Sequence, residues 1–241
     1  MPNFPELFTK NEVQIGTFLT FPSVHSAQVM SQLGFAFLIV DGEHNPLSPQ
    51  DWTHIVHAVA SASHGRVVPL VRIPAPGVEY VKWGLDSGAA GIVIPMVQTR
   101  AEMESVVRYG RYPPLGQRSF GPAKDVAIIP MIESAQGVEN CDEILSVKGI
   151  SGVFVGSSDL RLSLGLMGPD GTEEVFLSAL QKIADTGKKY GLPVGAWVPH
   201  SAAVERNKKF GFTWFSVGSD GACIAQGGAQ LLKDASAASK I

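Results

Sequence analysis

Short β-rich runs alternate with amphipathic stretches along the whole chain. The runs cover Gln14–Phe21, Phe35–Glu43, Val67–Pro74, Gly91–Val97, Val126–Ser134, Gly152–Asp159, Pro193–Pro199 and Trp214–Asp220. Between them the pattern is helical. Ser48–Ala62 opens Ser-Pro-Gln-Asp, an N-cap followed by proline in the first turn. Thr99–Tyr112 and Thr172–Tyr190 also predict helices, with Gly191 placed as a stop, and Gly221–Ser239 predicts a terminal helix. Alternation of this kind is the signature of repeated βα units and a parallel sheet. Eight unbroken units predict an α/β fold, a (β/α)₈ TIM barrel spanning residues 1–241 as one domain. A doubly wound open sheet is the second choice. Its dinucleotide-binding form is disfavoured, because no Gly-x-Gly-x-x-Gly follows the first strand.

Composition narrows the function classes. Hydrophobic residues make up 45% of the chain and charged residues 17%, which fits a compact domain with a large core rather than a disordered one. The net charge is −3 and no basic stripe is visible, so nucleic acid is not an expected partner. The longest apolar runs, such as Phe35 to Val40, are far shorter than the roughly 20 residues needed to cross a bilayer. The N-terminus lacks the pattern of a secretory signal. Cys141 and Cys223 have neither CxxC partners nor histidines at zinc-finger spacing, and both are expected to be reduced packing residues. These features predict a soluble, cytoplasmic protein.

In such a barrel the active site lies at the C-terminal ends of the strands. Strand two ends in the polar residues Asp41-Gly42-Glu43-His44, strand three in Arg72 and strand five in Glu133. Strand six ends in Ser157-Ser158-Asp159 and strand eight in Asp220. Glu133 and Asp159, on adjacent strands, suit a hard divalent cation that takes oxygen ligands and keeps sites open for exchange. A 2-oxo acid can fill two of those sites, while Arg72 supplies a fixed charge where enolate charge develops. His44 is the natural proton-transfer group, and Asp41 is near enough in sequence to orient it.

Each assignment has a structural rival. The two carboxylates can be rim salt-bridge partners, and Arg72 can simply neutralise Asp41 or Glu43, the two readings of Arg72 standing about even. His44 can be an ordinary loop histidine, and His200 is a weak candidate. Asp86 precedes a strand at the opposite end and reads as a helix-terminal aspartate.

Taken together, Asp41-Gly42-Glu43-His44-Asn45-Pro46, Val71-Arg72-Ile73-Pro74, Leu85-Asp86-Ser87-Gly88-Ala89-Ala90-Gly91 and Pro95-Met96-Val97 resemble the HpcH/HpaI aldolase family. Arg118-Ser119-Phe120-Gly121-Pro122-Ala123, Pro130-Met131-Ile132-Glu133-Ser134 and Gly152 to Leu160 extend the likeness, which runs from about Gly16 to Leu232. The resemblance implies a class II pyruvate aldolase. It would cleave or form a 4-hydroxy-2-oxo acid, through a metal-bound pyruvate enolate, to or from pyruvate and an aldehyde. It implies that Glu133 and Asp159 bind Mg²⁺, Mn²⁺ or Co²⁺, that Arg72 stabilises the enolate, and that His44, paired with Asp41, handles the proton. The backbone at Gly156, Ser157 and Ser158 would hold the substrate carboxylate, with Phe18 and Trp197 shaping the aldehyde pocket. Asp86 would reach the histidine of a neighbouring subunit, and the last helix would be exchanged within a hexamer.

Two departures matter. Met131 stands where many members carry Gln, and Met131-Ile132-Glu133-Ser134 is similar to a fungal member that decarboxylates oxaloacetate and couples the enolate to a pyrone. Members also carry a helical loop before the fifth strand, whereas here Lys124 runs straight into Asp125-Val126. Oxaloacetate decarboxylation on the same site is therefore the alternative activity, and a barrel without catalysis, serving binding, is the alternative class. A Schiff-base mechanism is disfavoured because no predicted strand carries a lysine.

Overall fold

A computed structural model describes residues 3–8, 12–119, 121 and 126–238. The junction around Lys124 and part of the Arg118–Ala123 motif lie outside them. The predicted barrel forms. Its strands are β1 (Gln14–Leu19), β2 (Phe37–Asp41), β3 (Val68–Arg72), β4 (Gly91–Ile94), β5 (Ala127–Pro130), β6 (Val153–Val155), β7 (Val194–Val198) and β8 (Trp214–Ser219). All paired neighbours are parallel, in the order β5-β4-β3-β2-β1-β8-β7-β6. The seam between β5 and β6 is bridged by Met131 opposite Phe154, with the Ile132 amide donating to the Phe154 carbonyl at 2.9 Å.

The helices are α1 (Val24–Met30), α2 (Pro49–Ala62), α3 (Val78–Asp86), α4 (Arg100–Gly110), α5 (Ala135–Glu139) and α6 (Cys141–Leu145). They continue with α7 (Ser157–Ser163), α8 (Glu174–Lys189), α9 (Ser201–Phe210) and α10 (Asp220–Ala238). Local chemistry sets their ends. Ser48 and Asp51 form a reciprocal capping box at α2, as Thr99 and Glu102 do at α4. Gly211 ends α9 in the left-handed region at φ 100°, which glycine adopts without a side-chain clash.

Two apolar layers result. The barrel interior holds Phe37, Ile39, Leu70, Ile129, Phe154 and Trp214, with Phe4 closing its floor 5.2 Å from the Trp214 ring. The aromatic rings fit because facing positions are glycine. A Cβ on Gly16 would lie 2.4 Å from the Phe37 ring, and one on Gly195 would lie 2.3 Å from the Trp214 ring. The second layer packs the helices against the outside of the barrel.

Three expectations are corrected. The strands are shorter than their apolar runs, because Met131 and Ile132 are buried without extending β5. Glu133 and Asp159 therefore stand beyond the strand ends, Asp159 in the first turn of α7. Cys141 is buried in α6, but Cys223 is exposed on α10 and joins no core cluster among the described residues.

Candidate active site

The register of β2 on β3 pairs Asp41 with Arg72 at the C-terminal rim. There Arg72 donates from Nε to Asp41 Oδ1 at 2.7 Å, and its Nη1 lies 3.0 Å from Glu43 Oε2. The guanidinium sits 4.7 Å from the centre of the Phe18 ring. Burial alone would lower its pKa. The Asp41 hydrogen bond and the charges of Asp41, Glu43 and Glu133 outweigh that and raise it. Among the described residues Nη2 has no acceptor.

Asp41 does not orient His44. Its second oxygen accepts from Asn45 Nδ2 at 2.6 Å, and Oδ1 also accepts the Glu43 amide at 3.1 Å. The expected pair fails because strand register supplies Asp41 with a buried cation, whereas His44 lies in the loop with its side chain 63% exposed. His44 Nε2 is instead 3.7 Å from Glu43 Oε2. Burial raises the Glu43 pKa, Arg72 and His44 oppose the rise, and Asp41 and Asp159 add to it.

Glu133 is 2% exposed. Its Oε1 accepts the Met96 amide at 2.6 Å, while its Oε2 has no hydrogen-bond partner. Gly156 permits this placement, since a Cβ there would lie 2.0 Å from Oε2. Burial pushes the Glu133 pKa up to about 7. Glu43 and Asp159 contribute to the rise, against the Met96 amide and Arg72.

Asp41, His44, Arg72 and Asp159 border a cavity of about 380 Å³ whose walls also include Phe18, Met131 and Trp197. Gly156, Ser157 and Ser158 line it too. The Ser157 hydroxyl donates to the Trp197 carbonyl at 2.8 Å, so what this segment offers a ligand is the backbone N–H groups that open α7.

A buried carboxylate with an unpartnered oxygen beside a second acid is costly unless a cation neutralises it. Glu133 and Asp159 fit that role. Among the described residues no three His, Cys, Asp or Glu side chains converge on one point, so a cation here would take its other ligands from water or substrate.

Other candidates lie elsewhere. Asp86 ends α3, just before β4 and so at the opposite end of the barrel, where Arg118 Nη2 meets it at 2.8 Å. His200 caps α9 and lies 3.3 Å from Asp170, a structural position. Asp220 is buried and accepts from the Thr20 amide and hydroxyl and from Ser26, which ties α10 to β1 and α1. Two site contacts go beyond those expected from sequence: Glu43, expected at most to neutralise Arg72, also faces His44, and the Met96 amide holds Glu133. Glu43 was visible in its motif, but no residue-type signal marks a main-chain donor.

The chain matches the model of the HpcH/HpaI aldolase/citrate lyase family over residues 14–226. It is 33% identical over 237 residues to 5-keto-4-deoxy-D-glucarate aldolase of Escherichia coli, covering 91% of each chain. An HpcH/HpaI aldolase/citrate lyase family protein from Burkholderia cenocepacia superposes with a TM-score of 0.88 at 27% identity, covering 96% of this chain and 97% of the other. Macrophomate synthase superposes with a TM-score of 0.86 at 26% identity, covering 98% and 88%. Sequence and architecture thus agree over almost the whole barrel, and this chain belongs to the HpcH/HpaI aldolase/citrate lyase family as a carbon–carbon lyase.

Proposed function

We propose that the chain interconverts a 4-hydroxy-2-oxo acid with pyruvate and an aldehyde, using a divalent cation held by Glu133 and Asp159. The observation that carries this reading is the buried Glu133 carboxylate, whose Oε2 has no partner and lies against Gly156, in the wall of the cavity that Asp159 and Arg72 also line. Mg²⁺, Mn²⁺ or Co²⁺ bound there supplies Lewis acidity toward the 2-oxo group. Backbone amides after Gly156 bind the substrate carboxylate. His44 accepts the proton of the 4-hydroxyl, the C3–C4 bond breaks, and its electrons enter the C2–C3 enolate as C4 leaves as the aldehyde. Arg72, aimed by Asp41 and Glu43, faces the negative charge that develops on the enolate oxygen. Protonation at C3 then gives pyruvate. Phe18 and Trp197 bound the space for the aldehyde half.

The working form is an oligomer, a hexamer in which Asp86 of one subunit approaches His44 of another and α10 packs on a neighbour. What supports this is α10 itself, where Ile224, Leu231 and Leu232 are 62–73% exposed. No helix among the described residues is long and apolar enough to cross a membrane.

Oxaloacetate decarboxylation is the second reading. It is favoured by the exposure of His44 and by the absence of an Asp41 bond to it, since that reaction needs no base on a hydroxyl. Pyruvate C3 proton exchange in deuterated water tests the shared enolisation. Exchange should be present with Mn²⁺, absent with EDTA, and lost in Glu133→Ala and Asp159→Ala. Unchanged exchange in either variant removes the metal reading. Parallel incubations with oxaloacetate and a 4-hydroxy-2-oxo acid then separate the two activities.

A further inference from the structure

Met96 follows β4 with φ 51°, one of two non-glycine residues at positive φ among those described. For an unbranched residue this left-handed conformation is uncommon and strained. Such strain persists only where the surroundings over-determine it, and they do here. Upstream, the Ile94 carbonyl accepts the Met131 amide at 2.7 Å. Downstream, Glu102 Oε2 accepts the amides of Gln98 and Thr99 at 2.8 and 2.9 Å, and Asn140 Nδ2 donates to the Gln98 carbonyl at 2.8 Å. The turn spends its strain on one contact with the site. The Met96 amide reaches Glu133 Oε1 at 2.6 Å, the short distance of a charge-assisted hydrogen bond. The Met96 side chain, meanwhile, is 43% exposed and lines no part of the cavity.

We propose that Met96 is a positioning residue, whose left-handed backbone presents its amide to Glu133 Oε1 and thereby fixes the carboxylate with Oε2 presented for the cation. The inference rests on the metal reading above and assigns that reading a further residue. It makes backbone tolerance at position 96 the determinant of metal affinity, and side-chain chemistry irrelevant. Glycine and asparagine tolerate the left-handed region, whereas a β-branched residue resists it.

The test is Mn²⁺ titration calorimetry of the metal-free protein and of Met96→Gly, Met96→Asn and Met96→Ile, with thermal unfolding of each. The Gly and Asn variants should bind Mn²⁺ within about twofold of wild type, while Met96→Ile should bind about 10–100-fold more weakly, the usual loss when a ligand's hydrogen-bond partner is removed. Restored affinity in Met96→Asn is the rescue that a purely structural role does not predict. Equal Kd values for wild type and Met96→Ile overturn the inference while leaving the metal reading intact. So does an equal loss in all three variants, which would make the side chain responsible. A wild-type protein that binds no Mn²⁺ overturns the metal reading and the inference with it. Should Met96→Ile fail to fold, Met96→Thr carries the same comparison.

Discussion

Arg72 and Asp41 are register partners on neighbouring strands, joined by a 2.7 Å hydrogen bond from Nε to Oδ1 with both residues buried. Glu43 takes the adjacent Nη1, so two carboxylates hold two nitrogens of one planar group. Arg72→Lys preserves the charge but cannot serve both acids in that geometry. Turnover should fall about 10²-fold or more, the scale seen on removing one fixed donor to developing charge. Stability should fall by about 1–3 kcal/mol, as buried acceptors lose partners. Steady-state kinetics and chemical denaturation measure the two effects, and full activity would show that Arg72 serves structure alone.

The Glu133 carboxyl, raised from 4.5 to about 7, makes a signed pH prediction. The folded, metal-free protein holds this proton more tightly than the unfolded chain. Its stability should therefore decrease as pH rises from about 4.5 through 7, by roughly 3 kcal/mol for this group alone. Cation binding requires the ionised form, so Mn²⁺ affinity should instead increase as pH rises toward 7 and level off above it. Thermal unfolding with EDTA and Mn²⁺ titration across that range check the two trends. Affinity flat between pH 5.5 and 8 would exclude Glu133 as a ligand that titrates in this range.

His44→Ala discriminates between the two activities. Aldol cleavage needs a base on the 4-hydroxyl, and a positioned base contributes about 10²–10⁴-fold. Decarboxylation leaves an enolate without removing such a proton. The variant should lose aldolase activity by that order and keep most oxaloacetate decarboxylation. A parallel loss of both would withdraw His44 as the aldol base. Asp41→Asn should slow both reactions, because Asp41 bonds Arg72 rather than His44.

The exposed leucines of α10 predict assembly. Leu231→Lys with Leu232→Lys should lower the molar mass seen by light scattering and reduce aldolase activity, since Asp86 would no longer be delivered to a neighbouring His44. An active wild-type monomer would sink both the hexamer and the role of Asp86.

Much of the architecture was legible because its causes are local. The Ser48–Asp51 and Thr99–Glu102 boxes join residues three apart, so their bonds are written in short sequence. The strands were legible as apolar runs, but their ends were not. Met131 and Ile132 continue the apolar pattern of β5 and are buried in the seam with β6, outside the strand itself. Cys223 read as packing because helical pattern does not say which neighbour a face meets, and on α10 this residue is exposed.

By itself the sequence determined the order of eight strands and the gathering of Asp41, His44, Arg72, Glu133 and Asp159 toward one rim. Alternating strand and helix signals enforce that order, and parallel strands bring their C-terminal ends together. Only the tertiary structure decided the partners. Asp41 is nearer in sequence to His44, yet it pairs with Arg72, because β2–β3 register puts a buried cation beside it while the histidine remains in solvent. Glu133 is likewise held by an amide 37 residues away, through a backbone turn that no residue type announces. Hydrogen bonds between distant residues depend on where the closed barrel sets their backbones, and that position is a property of the packed whole.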